Sequence, residues 1–241
     1  MAVFTSERTT INFEERGAGF PVLLLAPGGM RSGIDMWRNA AVDPWESYSD
    51  EFRLVAMDQR NAGRSEGPLD PADPWGMYAA DQLGLLDHLG IDRFMVMGCC
   101  IGCSFILELI ERAPQRVVAA VLEQPIGVYD SNRELFAELR RSWAAELLGK
   151  RTDLEPGIVE RFLQAMWKDD FVVSVSRDVI RSCPVPMLVL PGIDDYHPTA
   201  AGREVAALAP RARVVEPWKD TAEHVAAATG EVRRFLRDAV P

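Results

Sequence analysis

The sequence predicts an α/β fold: a mostly parallel central sheet, helices packed on both of its faces, and a helical lid over one edge. Three observations carry that expectation. Apolar runs of strand length recur between helix-like segments, polar and turn-forming residues collect just after those runs, and one long segment shows helical periodicity without any strand. Strands are expected at 9–15, 22–26, 54–57, 94–97, 117–122, 187–190 and 212–215. Between them, 79–89 reads as a helix because Ala79, Leu83 and Leu86 share one face, and 222–239 because Val232, Phe235, Leu236 and Ala239 do.

The strandless segment carries helical stretches at 132–148 and 156–167. It divides the chain into a core of residues 1–125 and 182–241 and a lid of residues 126–181. Leu135, Leu139, Trp143 and Leu147 on the first stretch, and Phe162, Met166, Trp167 and Phe171 on or after the second, are candidates for an apolar pocket lining. Aromatics at helical spacing more often pack a lid's own interior.

At 241 residues and 48% hydrophobic content the chain has enough apolar mass for one full domain core. A net charge of −10 argues against a nucleic-acid partner, which needs a basic footprint. No apolar run approaches the length of a membrane span, and the first fifteen residues lack the basic start and apolar core of a secretion signal. Four cysteines, one of them required in reduced form, make the cytoplasm the expected compartment. Oligomeric state is open.

The chemistry concentrates in Gly98-Cys99-Cys100-Ile101-Gly102. An apolar strand at 93–97 precedes these residues and a helix at 101–112 follows, which is the setting of a nucleophile elbow. Glycines flank the nucleophile because strand and helix backbones pass too closely for side chains. The position usually held by serine is Cys100. A helix start favours a thiolate, so the thiol pKa is expected to be lowered. Cys100 and Cys103 also form a C-x-x-C, but the remaining cysteines, Cys99 and Cys183, form no second pair, and His88, His197 and His224 stand singly. No metal site is therefore expected, and Cys99, Cys103 and Cys183 read as small buried side chains.

Other polar groups fall at the same strand ends: Pro27-Gly28-Gly29, Asp58-Gln59-Arg60-Asn61, Glu123-Gln124-Pro125 and Gly192-Ile193-Asp194-Asp195. With the stretch 58–65 (D-Q-R-N-A-G-R-S) and a late histidine, these motifs in this order resemble the α/β-hydrolase superfamily over nearly the whole chain. The resemblance implies the order nucleophile, acid, histidine, satisfied by Cys100, an aspartate and His224. Counting from Gly192 favours Asp195; the D-x-x-x-P spacing to Pro198 favours Asp194, which is preferred because proline fixes the backbone after the turn. Glu123 is a third possibility for the acid.

His88 reads as an ordinary helix residue; His197, three residues after the candidate acid, either borders the site or stabilises the loop, and the second role is favoured. The resemblance also implies oxyanion donors at the backbone N–H groups of Gly29 and Ile101, although Pro27 replaces the histidine that usually begins that loop. Cysteine elbows occur on this fold in dienelactone hydrolases, polyhydroxyalkanoate synthases and some thioesterase domains. The implied activity is cleavage of an ester, lactone or thioester of a small molecule through an acyl-Cys100 intermediate, with no metal or organic cofactor. Dehalogenases and epoxide hydrolases need an aspartate at the nucleophile position. An acyltransferase would use the same triad, and a non-catalytic binder on this fold would need a broken one.

Overall fold

The central strands are apolar throughout because both faces of the sheet are covered. The computed structural model describes residues 2–241. Eight strands are described: β1 (Ala2–Ser6), β2 (Thr9–Arg16), β3 (Pro21–Leu25), β4 (Arg53–Met57), β5 (Phe94–Cys99), β6 (Val117–Glu123), β7 (Met187–Leu190) and β8 (Ala212–Val214). All six residues of β5 and all four of β7 are buried, whereas β1 is almost wholly exposed. The expected strands are all present. The first, β1, was not anticipated, since an exposed edge strand leaves no continuous apolar run.

Strand order is β1-β2-β4-β3-β5-β6-β7-β8, antiparallel from β1 through the β2/β4 pair and parallel beyond. Leu23 and Leu25 of β3 enter one core, while Val22 and Leu24 enter the other. The first core is closed by α2 (Pro74–His88) and α3 (Ile101–Arg112), the second by α1 (Pro44–Tyr48) and α8 (Ala222–Ala239). From β3 the chain crosses one way to β4 and then back the other way to β5. The carboxyl ends of β3 and β5 therefore form a topological switch point, where sheets of this kind open a crevice.

Between β6 and β7 lie α4 (Arg133–Lys150), α5 (Pro156–Met166) and α6 (Arg177–Arg181), and no strand. Several aromatics here pack within the excursion and against the core. Trp143 packs on Phe162, and Phe162 on Tyr78 of α2, each at 6.2 Å between ring centroids. Trp75 of α2 donates its indole N–H to the Met166 carbonyl at 2.9 Å. α7 (Thr199–Leu208) follows β7. No helix among the described residues is long and apolar enough to cross a membrane.

Close approach at the elbow sets a strict steric limit. A Cβ on Gly102 would lie 2.1 Å from the Leu25 carbonyl oxygen of β3, and one on Gly98 2.7 Å from the Gly102 backbone. Neither contact is relieved by rotating a side chain. Gly102→Ala should thus cost more than about 3 kcal/mol, seen as a large drop in the urea midpoint with an unchanged slope.

Candidate active site

Cys100 stands at the switch point, between β5 and α3, with φ 59° and ψ −122°. A non-glycine residue held there costs of order 1–3 kcal/mol, which the surrounding hydrogen bonds must offset. Its N–H is tied to the Glu123 carbonyl of β6 at 2.9 Å, and its carbonyl accepts from Cys103 N at 3.0 Å. The turn leaves the side chain partly exposed, unlike Cys99, Cys103 and Cys183, which are buried. Cys103 spends its thiol on the Gly98 and Glu123 carbonyls at 3.3 and 3.2 Å.

The loop after β3 brings backbone donors to the sulfur. N–H groups of Ile101, Gly28 and Gly29 all favour the Cys100 thiolate, which places the backbone of Gly29 and Ile101, together with that of Gly28, beside the sulfur. Gly28 and Gly29 both have positive φ, 113° and 59°, which aims consecutive N–H groups at one point. Pro27 does not disturb this. Behind the loop, the Asp58 carboxylate accepts from Ile34 N at 2.8 Å, Asn12 Nδ2 at 2.9 Å and Arg64 N at 2.9 Å. The 58–65 stretch thus braces the donor loop from below.

One expectation is reversed. The Cys100 pKa is raised, not lowered: burial is the largest cause, the three N–H groups oppose it, and the negative charge of Asp194 adds to the rise. The resting sulfur is a thiol. A helix start does what was expected of it, but desolvation in the crevice is stronger.

Asp194 and His224, expected to pair, do not. Asp194 Oδ1 accepts from both His197 N at 3.0 Å and His197 Nδ1 at 2.7 Å, and Lys219 Nζ stands 3.4 Å from Oδ2. Burial pushes the Asp194 carboxyl up, and His197 and Lys219 outweigh it to hold the group below its usual range. His224 sits in the first turn of α8, where its N–H meets the Thr221 cap at 3.2 Å. Its nearest carboxylate is Asp220 at 3.9 Å, and no hydrogen bond or ion pair joins it to Asp194 among the described residues. Its Nδ1 is buried and makes no hydrogen bond.

The other candidates for the acid fare no better. Asp195 is exposed, and its backbone carbonyl accepts from Asn132 Nδ2 at 2.9 Å. Glu123 is fully buried, with neither carboxyl oxygen hydrogen-bonded. It adjoins Cys99, Tyr48 and Lys219, and burial pushes its pKa up to about 8 with Lys219 opposing. Glu123 is thus neutral at neutral pH and holds no imidazole. His88 packs against Phe4 at 5.3 Å, an ordinary contact.

The raised Glu123 pKa has a consequence for stability. The unfolded carboxyl loses its proton near the ordinary glutamate value of 4.5 while the folded one keeps it to about 8, so stability falls as pH rises through that window. Glu123→Gln should remove the slope, leaving the variant more stable than the parent at pH 8 by a few kcal/mol and little different at pH 4. Urea melts at both values would show it.

Lys219 and Gln124 are functional candidates that sequence reasoning passed over. Lys219 Nζ donates to Gln124 Oε1, and Gln124 Nε2 reaches Cys99 Sγ at 3.4 Å. Trp218, buried beside it, donates its indole N–H to the Pro191 carbonyl at 2.6 Å and so pins the β8 loop to the β7 loop. The Trp-Lys pair after a short strand was the available signal.

The donor loop is roofed. A Cβ on Gly29 would lie 2.9 Å from Leu139 Cδ2 of α4. Arg31 fastens the same helix through Glu146, at 2.9 and 2.8 Å, and through Ser142 at 3.0 Å. Cys100 lines neither of two clefts, one of about 490 Å³ beside Tyr129 and Phe171 and one of about 240 Å³ beside Trp143 and Arg151. Among the described residues no group of three His, Cys, Asp or Glu side chains is placed to hold a metal ion.

Fold, switch point and elbow together define an α/β hydrolase. The family model for the α/β hydrolase fold matches residues 21–158, more than half the chain, and this chain belongs to that family. It is similar to 2-hydroxymuconate semialdehyde hydrolase of Pseudomonas sp. (strain CF600), 26% identical over 216 residues, covering 76% of this chain and 73% of the relative. It is also similar to carboxylesterase YbfK of Bacillus subtilis (strain 168), 25% identical over 212 residues, covering 79% and 70%. Among solved structures, the meta-cleavage product hydrolase CumD of Pseudomonas fluorescens IP01 superposes with a TM-score of 0.71 at 20% identity, covering 96% of both chains. The dienelactone hydrolases of the sequence resemblance are not among these relatives.

Proposed function

We propose that this protein hydrolyses an ester, lactone or thioester of a small organic acid through a covalent acyl-Cys100 intermediate, with residues 126–181 acting as a lid over the site. One observation carries the reading: a thiol held at φ 59° on a strand-to-helix turn, facing the N–H groups of Gly28, Gly29 and Ile101. An oxyanion formed by attack of that sulfur would develop beside donors already oriented, which is the arrangement that lowers the barrier to acyl transfer. Asp194, whose charge reaches the sulfur, is proposed as the acid of the site. The carboxylesterase name of one relative is consistent with an ester substrate.

Because the resting sulfur is a thiol, attack requires a base to remove its proton, as in a serine enzyme. Turnover of p-nitrophenyl acetate, a small lactone and an acyl thioester, each with the release of free acid measured, tests the proposal. Acid release with at least one of them is expected. Ester formed from an added alcohol, with no free acid, would assign an acyltransferase instead. Leu139→Ala, which uncovers Gly29, should lower KM for bulkier acyl groups several-fold with little change in stability.

A further inference from the structure

Lys219 is anchored on both sides along the chain. Trp218 before it is pinned to the β7 loop through the Pro191 carbonyl at 2.6 Å, and Thr221 two residues on caps α8 by accepting from His224 N at 3.2 Å. The Lys219 side chain is 15% exposed, so its ammonium is largely withdrawn from water. A charge is tolerated there only with polar partners. Two are present: Gln124 Oε1 accepts from Nζ, and Asp194 Oδ2 lies 3.4 Å away.

Gln124 is oriented for this contact. It holds φ at 54°, uncommon for a residue other than glycine, and its backbone N–H is tied to the Leu190 carbonyl at 2.7 Å. Its side-chain Nε2 reaches Cys99 Sγ at 3.4 Å, which leaves Oε1, an acceptor, facing the ammonium. Gln124 follows β6, Asp194 lies on the loop after β7 and Lys219 on the loop after β8, and these three strands are neighbours in the sheet. One ammonium therefore joins three adjacent strand ends. Resting on the reading of Asp194 as the acid of the site, we infer that Lys219 is a positioning residue: bridged to Gln124, it fixes Oδ2 of the Asp194 carboxylate as His197 fixes Oδ1, so that the carboxylate keeps one orientation.

The charges around the ammonium agree. Burial holds His197 below its ordinary value, Asp194 opposes, and Lys219 adds to the lowering, so the imidazole is neutral at neutral pH. The full positive charge facing Asp194 is then that of Lys219, which with the His197 hydrogen bonds keeps the carboxyl below its usual range against burial. Glu123 and Cys99 are the other titratable groups that feel Lys219. Burial raises both, with Lys219 opposing in each case, and both keep their protons at neutral pH. Asp194 is thus the anion left for the ammonium to pair with.

The test is a double-mutant cycle in the full chain, read by kcat and KM for p-nitrophenyl acetate. Lys219→Met keeps an unbranched apolar stem and removes the charge. It should lower kcat roughly tenfold or more with KM near the parent value, and Lys219→Arg, which keeps charge and donors, should recover most of the loss. In an Asp194→Asn background, Lys219→Met should cost less than about twofold further, because the group it acts through is gone. The same loss in both backgrounds, or a raised KM with kcat unchanged, overturns the inference. Urea midpoints of the parent, the two single variants and the pair give a second reading that needs no activity. The single substitutions should together lower the midpoint by more than the pair does, and additive midpoints overturn the inference. If no ester, lactone or thioester is cleaved while the midpoints show coupling, the acyl-hydrolase reading fails and this one stands. If esters are cleaved and the midpoints are additive, the reverse holds.

Discussion

Cys100→Ala should abolish acyl transfer, with a loss on the order of 10⁴-fold or more in kcat, and should leave the fold intact. The substitution removes one sulfur atom and keeps Cβ, so the strained φ of 59° and the hydrogen bond from residue 100 N to Glu123 O are unaltered. Cys100→Ser is the more informative companion. Because the sulfur rests as a thiol and depends on a base, a hydroxyl in the same place meets the same machinery. The serine variant should therefore retain measurable turnover, lower by a factor on the order of 10². A preformed thiolate-imidazolium pair would not tolerate that exchange. Steady-state assays of both variants at one pH separate the two cases.

Asp194→Asn should cost on the order of 10²–10³-fold in kcat/KM, while Asp195→Asn should stay within about threefold of the parent. The carboxylate holds His197 through Nδ1 and meets the Lys219 ammonium, so an amide would turn an N–H toward one of two donors. Asp195 makes its visible contact through its backbone carbonyl, which an asparagine keeps. The ranking tests the assignment better than either magnitude. The opposite ranking would move the acid to Asp195.

The elbow was legible because its chemistry is written in nearest neighbours. Gly98 and Gly102 are there for a steric reason that any strand-to-helix turn of this kind imposes, and α3 runs from Ile101 to Arg112 as its apolar pattern requires. The parallel sheet was legible for a similar cause: strands buried on both faces, such as Phe94–Cys99, are unbroken apolar runs. The partners of the nucleophile were not. Chain order allows both His197 and His224 to follow an aspartate, and only the fold of the β7 loop decides which ring meets Asp194. An aspartate three residues before a histidine can close a turn on it, and that short-range signal was available at Asp194 and His197. The thiol's direction of shift was hidden for another reason. Helix position is visible in a sequence; the depth of the crevice around a helix start is not, and at Cys100 burial is the larger effect.

Covalent trapping tests the central claim most directly. The protein is mixed with p-nitrophenyl acetate, quenched in acid within the first turnover and digested, and the acylated peptide is located by mass spectrometry. The account predicts acetyl on the peptide that bears Cys100, labile to hydroxylamine as a thioester is, and none when Cys100 is alanine. Product formed rapidly with Cys100 unmodified, or acetyl on another side chain in the same time, would contradict it.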